Sequence, residues 1–207
     1  MTTAIFHHPL PSLDVFLDKV LKRAREFDSG INRSICAAIS RKQDLAVLHL
    51  DVVGSTKLVQ KDFEAAHERL TGFFGRLAQL SKKHDGCLAE KRGDAAIVIF
   101  RKVDDAIELA TAIRSYANTL RHSRFGNIEL EVRMGISSGK IIWKDDVLTG
   151  EAVVRAQRLE QMADTYGICI DKDTLDRSSH QGRFHEIGSV ELKGFRGKTC
   201  AYALDTI

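Results

Sequence analysis

Asp51 and Asp94 each stand at the end of an apolar, strand-like run, in Asp51-Val52-Val53-Gly54-Ser55-Thr56 and Glu90-Lys91-Arg92-Gly93-Asp94. Carboxylates are hard oxygen donors, and Mg²⁺ or Mn²⁺ is commonly held by one or two of them together with phosphate oxygens. The chemistry on offer is therefore a metal-assisted reaction of a phosphorylated substrate. A single aspartate at a strand end is ordinarily a turn or cap residue, so the case for two of them rests on the elements that position each.

Leu45-Ala46-Val47-Leu48-His49-Leu50-Asp51 reads as a mostly buried strand in the middle of a sheet. From Asp62 to His84 the residues Phe63, Ala66, Leu70, Phe73, Phe74 and Leu77 mark one helical stripe, which Asp85-Gly86 ends. Cys87 to Glu90 and Ala95 to Phe100 flank Arg92-Gly93 as a tight hairpin with Asp94 at its tip. A second helix, capped by Asp104 or Asp105, carries Ala106, Leu109, Ala110, Ile113, Ala117 and Leu120, and a strand returns at Ile128 to Ile136. The order β-α-β-β-α-β predicts an α+β, ferredoxin-like core. A helix near Ala152 to Ala163, a strand at Ile168 to Ile170 and a closing hairpin at Ser189 to Lys193 and Thr199 to Leu204 extend it.

The first 43 residues read as an N-terminal helical extension, with Ser12 capping Leu13, Phe16, Leu17, Val20, Leu21 and Ala24, and residues 44–207 as the main domain. The short, mixed-charge face of that helix suits packing on a dimer of its own chain rather than a membrane. A length of 207 residues with 43% hydrophobic content suffices for one ordinary core. A net charge of +3, with both signs interspersed, does not favour a nucleic-acid partner. No apolar run approaches the roughly 20 residues that span a bilayer. Cys36, Cys87, Cys169 and Cys200 are far apart with no Cys-x-x-Cys pair, which predicts reduced thiols in a cytoplasm and no zinc site. The eight histidines show no ligand spacing, and Arg92-Gly93-Asp94 is a chance match to an adhesion tripeptide.

Leu48-His49-Leu50-Asp51-Val52-Val53-Gly54-Ser55-Thr56 resembles the first metal motif of the class III nucleotidyl cyclases, the adenylyl and guanylyl cyclase catalytic domain. Four further landmarks follow in the family's order: Gly93-Asp94, Arg133-Met134-Gly135-Ile136-Ser137-Ser138-Gly139, Gly150-Glu151-Ala152-Val153-Val154-Arg155-Ala156-Gln157-Arg158-Leu159-Glu160, and Leu192-Lys193-Gly194-Phe195. The resemblance covers about residues 44 to 205. It implies two divalent cations held by Asp51, Asp94 and the backbone carbonyl of Val52. The substrate would be a nucleoside triphosphate, cyclised by in-line attack of its ribose 3′-oxygen on the α-phosphate with loss of pyrophosphate. Val53, Gly54, Ser55 and Thr56 would cradle phosphate oxygens, Arg158 would meet charge growing on the α-phosphate, and Lys193 would contact the terminal phosphates, with Arg196 and Lys198 competing for that role. The family's sites form between two head-to-tail chains, which implies a homodimer.

The chain departs from the family pattern at several points. Val154 stands where an asparagine usually orients the ribose, and valine makes no such hydrogen bond. Glu90 occupies a base-reading position and hints at guanine, while the second such position, Val147, matches neither purine. His49 replaces a usual phenylalanine on the face of Asp51, and Arg92 enters a usually apolar hairpin. These changes are similar to the divergent bacterial cyclases that make cyclic CMP or cyclic UMP in anti-phage signalling, which places a pyrimidine first, GTP second and ATP third, with a downstream cyclic-nucleotide effector. Two alternatives remain: a cyclase-like domain that binds nucleotide without turnover, motivated by Val154, and an RNA platform, which lacks an aromatic stacking motif.

Overall fold

The computed structural model describes residues 44–121, 130–144, 147–164 and 167–205. The N-terminal helix expected around Leu13 to Ala24 lies outside the described residues, as do the first two residues of the strand expected from Ile128. The described elements run β1 (Asp44–Val53), α1 (Ser55–Lys61), α2 (Phe63–Lys83), β2 (Cys87–Arg92), β3 (Ala95–Phe100), α3 (Val103–Arg121), β4 (Glu131–Lys140), β5 (Ile142–Lys144), β6 (Val147–Thr149), α4 (Glu151–Met162), β7 (Ile168–Asp171), α5 (Lys172–Leu175), β8 (Phe184–Val190) and β9 (Thr199–Leu204).

Seven strands form one sheet in the order β2-β3-β1-β4-β7-β9-β8, and β5 pairs with β6 apart from it. Within it β2, β3, β1 and β4 are mutually antiparallel neighbours, the ferredoxin-like core, and β7 joins β4 in parallel. The fold is α+β, as expected.

Alternation along β1 divides the interior in two. Ala46, Leu48, Leu50 and Val52 point into a large core with Leu70, Phe73, Phe74 and Leu77 of α2 and Ile107, Ala110 and Ile113 of α3. Leu45 and Val47 point the other way, into a smaller core with Ile97, Ile99, Ala152 and Ala156 of α4. Further along that second face the side chains become His49 and Asp51, so the apolar layer gives way to polar groups under α4. Asp62 caps α2 by accepting a hydrogen bond from the Ala65 amide at 3.0 Å.

Several local expectations are corrected. Val103 opens α3, so Asp104 lies in its first turn instead of capping it, and the Asp104 carboxylate accepts from Ser178 and Ser179. The closing hairpin begins at Phe184 and not Ser189, because β8 pairs with β9 from Phe184↔Leu204 through a register shift at Glu186/Gly188. Cys87 is disulfide-bonded, against the expectation of reduced thiols; its partner lies outside the described residues, and Cys169 and Cys200 are free. Wide spacing along the chain places no limit on distance in space. Among the described residues no helix is long and apolar enough to cross a membrane.

Candidate active site

Two rows of cross-strand neighbours build the site. Arg92, Ala95, Asp51 and Arg133 align across β2, β3, β1 and β4, and Glu90, Ile97, His49 and Gly135 form the next row. Regular alternation would send Glu90 to the same face as Leu88, but the pairing slips between Leu88 and Glu90, so Ala89 packs in the small core and Glu90 also reaches the polar side. A bulge of this kind re-aims a side chain, and nothing in the residue types announces it.

The hairpin tip closes against the end of β1. The Val52 amide donates to the Asp94 carbonyl at 3.1 Å, and the Ser55 hydroxyl, buried at the start of α1, donates to Asp94 Oδ2. Gly93 takes φ 60° at the turn, where a side chain would be strained. Lys91 points to the opposite face, its Nζ 3.9 Å from the centroid of the Phe74 ring and 2.9 Å from the Gly93 carbonyl oxygen, so it braces the tip from behind. Burial pushes this ammonium down to about 8. Asp51 and Asp94, far apart in sequence, are thereby brought near one another.

A cavity of about 350 Å³ opens beside Asp51, lined among others by His49, Glu90, Arg92, Arg133, Gln157 and Glu160. Its charge is unbalanced. Arg133 Nη2 lies 3.0 Å from Asp51 Oδ2 and its Nε 3.2 Å from Glu160 Oε1, while His49 Nδ1 lies 3.7 Å from Glu160 Oε2. Glu160 Oε1, Arg133 Nε and His49 Nδ1 are buried without a well-formed hydrogen bond. Burial raises the Asp51 carboxyl above its usual range, and the Asp94 charge adds to this against the pull of Arg133. Burial, then the charge of Asp51, pushes Glu160 up to about 7, and burial holds His49 down to about 4.

Those two shifts oppose one another. His49 has a folded value below its ordinary 6.5, so the unfolded chain binds more protons between about 4 and 6.5 and stability rises with pH there. Glu160 has a folded value above its ordinary 4.5, so the folded chain binds more protons between 4.5 and about 7, and its contribution is lost as pH rises through that window. Glu160→Gln is expected to expose the His49 slope, with the thermal midpoint climbing between those lower limits and pH 6.5. His49→Gln is expected to give the reverse. Thermal melts across pH check this, and identical profiles for both variants and the parent chain would refute it.

The donor set fits divalent cations. Hard carboxylate oxygens meet where burial, and after it the neighbouring negative charge, raises the Asp51 and Glu160 carboxyls, a charge that a cation would relieve. Among the described residues no group of three or more His, Cys, Asp and Glu could hold a metal ion alone.

The other sequence-derived positions are scattered. Gly54 caps α1 at φ 66° and is exposed, as is Thr56, while Val53 ends β1 opposite Glu131. Glu90 lines the cavity, paired with Arg92 at 2.7 Å. Val147 opens β6, and its side chain falls outside the described positions. Arg158 is not on the cavity wall; half-buried one turn beyond the exposed Val154, with its Nε buried and unbonded, it donates to Oε1 of the wall residue Gln161 at 2.9 Å. Lys193 is exposed in the β8–β9 turn, also away from the cavity, where the Arg155 guanidinium lies 5.2 Å from the centroid of the neighbouring Phe195 ring. One chain thus unites the carboxylates and Glu90 but not Arg158 or Lys193. Arg133 and Glu160 take part in the site without having been assigned roles from sequence, because other charged residues surround both in the chain and nothing in their spacing sets them apart.

This sheet order is that of the nucleotidyl cyclase catalytic fold. Residues 37–206 match the family model of the adenylate and guanylate cyclase catalytic domain, and the chain belongs to that family. A Rhizobium meliloti (strain 1021) protein named "Putative adenylate cyclase 3" is 27% identical over 161 residues, covering 73% of this chain and 27% of that protein. The chain spans well under half the length of the curated relatives it matches. The fold is similar to that of the adenylyl cyclase CyaB from P. aeruginosa, with a TM-score of 0.70 and 22% identity over 80% of this chain and 95% of that one. It is also similar to the guanylate cyclase domain of RhGC from Catenaria anguillulae, solved in complex with GTP, with a TM-score of 0.65 and 21% identity over 79% and 97% of the two chains.

Proposed function

We propose that this chain converts a nucleoside triphosphate to a 3′,5′-cyclic nucleotide and pyrophosphate, at sites shared between two copies arranged head to tail. The observation that carries this reading is the approach of Asp94 to Asp51, which lines a cavity whose wall does not include Arg158 of the same chain. Asp51, Asp94 and the Val52 carbonyl would hold two divalent cations, Mg²⁺ or Mn²⁺, which when bound acidify the ribose 3′-hydroxyl and offset the triphosphate charge. The turn from Val53 to Thr56 supports phosphate oxygens, and Ser55 keeps Asp94 aimed at the site. The 3′-oxygen forms its bond to the α-phosphorus as the bond to pyrophosphate breaks. Arg158 of the second copy steadies the charge on the α-phosphate, and Lys193 binds the terminal phosphates. Val154 cannot supply the usual hydrogen bond, which lowers the rate by on the order of 10² to 10³.

For the base we place a pyrimidine first, GTP second and ATP third. Glu90 would accept from guanine, but its Oε1 is already taken by Arg92. The guanidinium offers further donors, suited to a base rich in carbonyl oxygens. Incubation with each of four labelled nucleoside triphosphates and Mn²⁺ is expected to give cyclic UMP or cyclic CMP; exclusive conversion of GTP or ATP would overturn the order. The similarity to anti-phage cyclases extends the proposal to a defence signal read by a downstream effector. Cells expressing the chain are then expected to resist phage, and cells with Asp51→Ala to lose that resistance. A binding module without turnover, the reading that Val154 favours, requires equal protection by both.

A further inference from the structure

Arg133 is one cation between two carboxylates. Strand register sets it directly opposite Asp51, and α4 brings Glu160 to its other side. The two contacts differ in kind. Nη2 makes a formed hydrogen bond to Asp51, whereas Nε and Glu160 Oε1 are close but form none, so their bonding capacity is unspent. Glu160 is 3% exposed and has little access to water, while the Arg133 side chain keeps 31% exposure and so more freedom to shift. A guanidinium resting on Asp51 occupies a carboxylate oxygen and repels any incoming cation. Unless something draws it away, it competes with the metal.

We propose that Glu160 is a positioning residue for cation binding, taking the Arg133 guanidinium from Asp51 as a divalent ion claims that carboxylate. This rests on the reading of Asp51 as a metal ligand. The fixed carboxylate on α4 serves as the alternative partner: Arg133 turns from Asp51 to satisfy Glu160 Oε1, and both negative groups end neutralised. In its absence the guanidinium would have only Asp51 to pair with and would stay in the cation's place. Removing groups that orient a metal ligand typically costs about 10- to 100-fold in affinity.

The test measures Mn²⁺ affinity of the full chain by electron paramagnetic resonance of the free ion, with Mn²⁺ alone and with Mn²⁺ plus pyrophosphate, alongside thermal melts. Glu160→Gln is expected to weaken Mn²⁺ binding by about tenfold. Adding Arg133→Gln is expected to restore it to within about threefold of the parent chain, since no guanidinium then needs a second partner. Unchanged affinity in Glu160→Gln, or no recovery in the double variant, overturns the proposal and leaves a merely structural ion pair. Should Glu160→Gln fail to melt cooperatively, Glu160→Asp carries the comparison, its carboxylate withdrawn by one methylene and its expected loss about threefold. Asp51→Ala identifies the other failure: if it binds Mn²⁺ as the parent does, the metal-ligand reading falls and this proposal with it.

Discussion

Co-expressing the Asp51→Ala chain with the Arg158→Ala chain is expected to restore up to about a quarter of the parent activity, although each variant alone is nearly inactive. Loss of the carboxylate, or of the Arg158 charge proposed to meet the α-phosphate, is expected to cost on the order of 10³ in turnover. Arg158 of the same chain lies off the wall of the cavity beside Asp51. A head-to-tail pair of one chain of each kind therefore has one site carrying both defects and one carrying neither. Random pairing makes half the dimers mixed, each with one intact site. Pyrophosphate release from the co-purified mixture is the measurement. Absence of recovery would show that the arginine and the carboxylates act from the same chain, and the shared-site proposal would fail.

Gly135→Ala is expected to destabilise the domain by at least about 3 kcal/mol, a fall in thermal midpoint of roughly 10 °C, and to remove activity with it. A Cβ at this position would lie 2.1 Å from the Ala156 carbonyl oxygen and 2.3 Å from the Glu160 amide nitrogen. Both are backbone atoms of α4, so no side chain can turn aside and the helix itself must lift from β4. That helix carries both Glu160, on the cavity wall, and Arg158, so one methyl group displaces both. Gly72→Ala and Gly75→Ala in α2 are the controls. A Cβ there meets nothing within 4 Å, and replacing a helical glycine is expected to gain roughly 0.5 to 1 kcal/mol. A midpoint for Gly135→Ala equal to that of the controls would contradict the close approach of α4 to β4.

Local pattern was sufficient for most elements. The stripe from Phe63 to Leu77 appears as α2, bounded by Asp62 as expected, and the run from Leu45 to Leu50 is buried on both faces. These follow from periods of 3.6 and 2, which any short window of sequence contains. The weaker signals failed. The small β5–β6 hairpin and the separate α1 and α5 helices are too short to show a period, and they were not foreseen. The β8 start was misplaced because its pairing passes through an irregularity.

By itself the sequence determined the family and singled out Asp51 and Asp94 as candidates, because an ordered set of motifs is legible in residue types alone. Only the tertiary structure decided how charge is arranged around them: Arg133 opposite Asp51, Glu160 between Arg133 and His49, Glu90 turned inward by a bulge and held by Arg92, and Cys87 in a disulfide. The reason is that register, helix-to-sheet distance and bulges are settled by contacts between segments far apart in the chain. A glycine at 135 permits the close approach of α4, but which carboxylate then meets which guanidinium depends on how the whole sheet is paired.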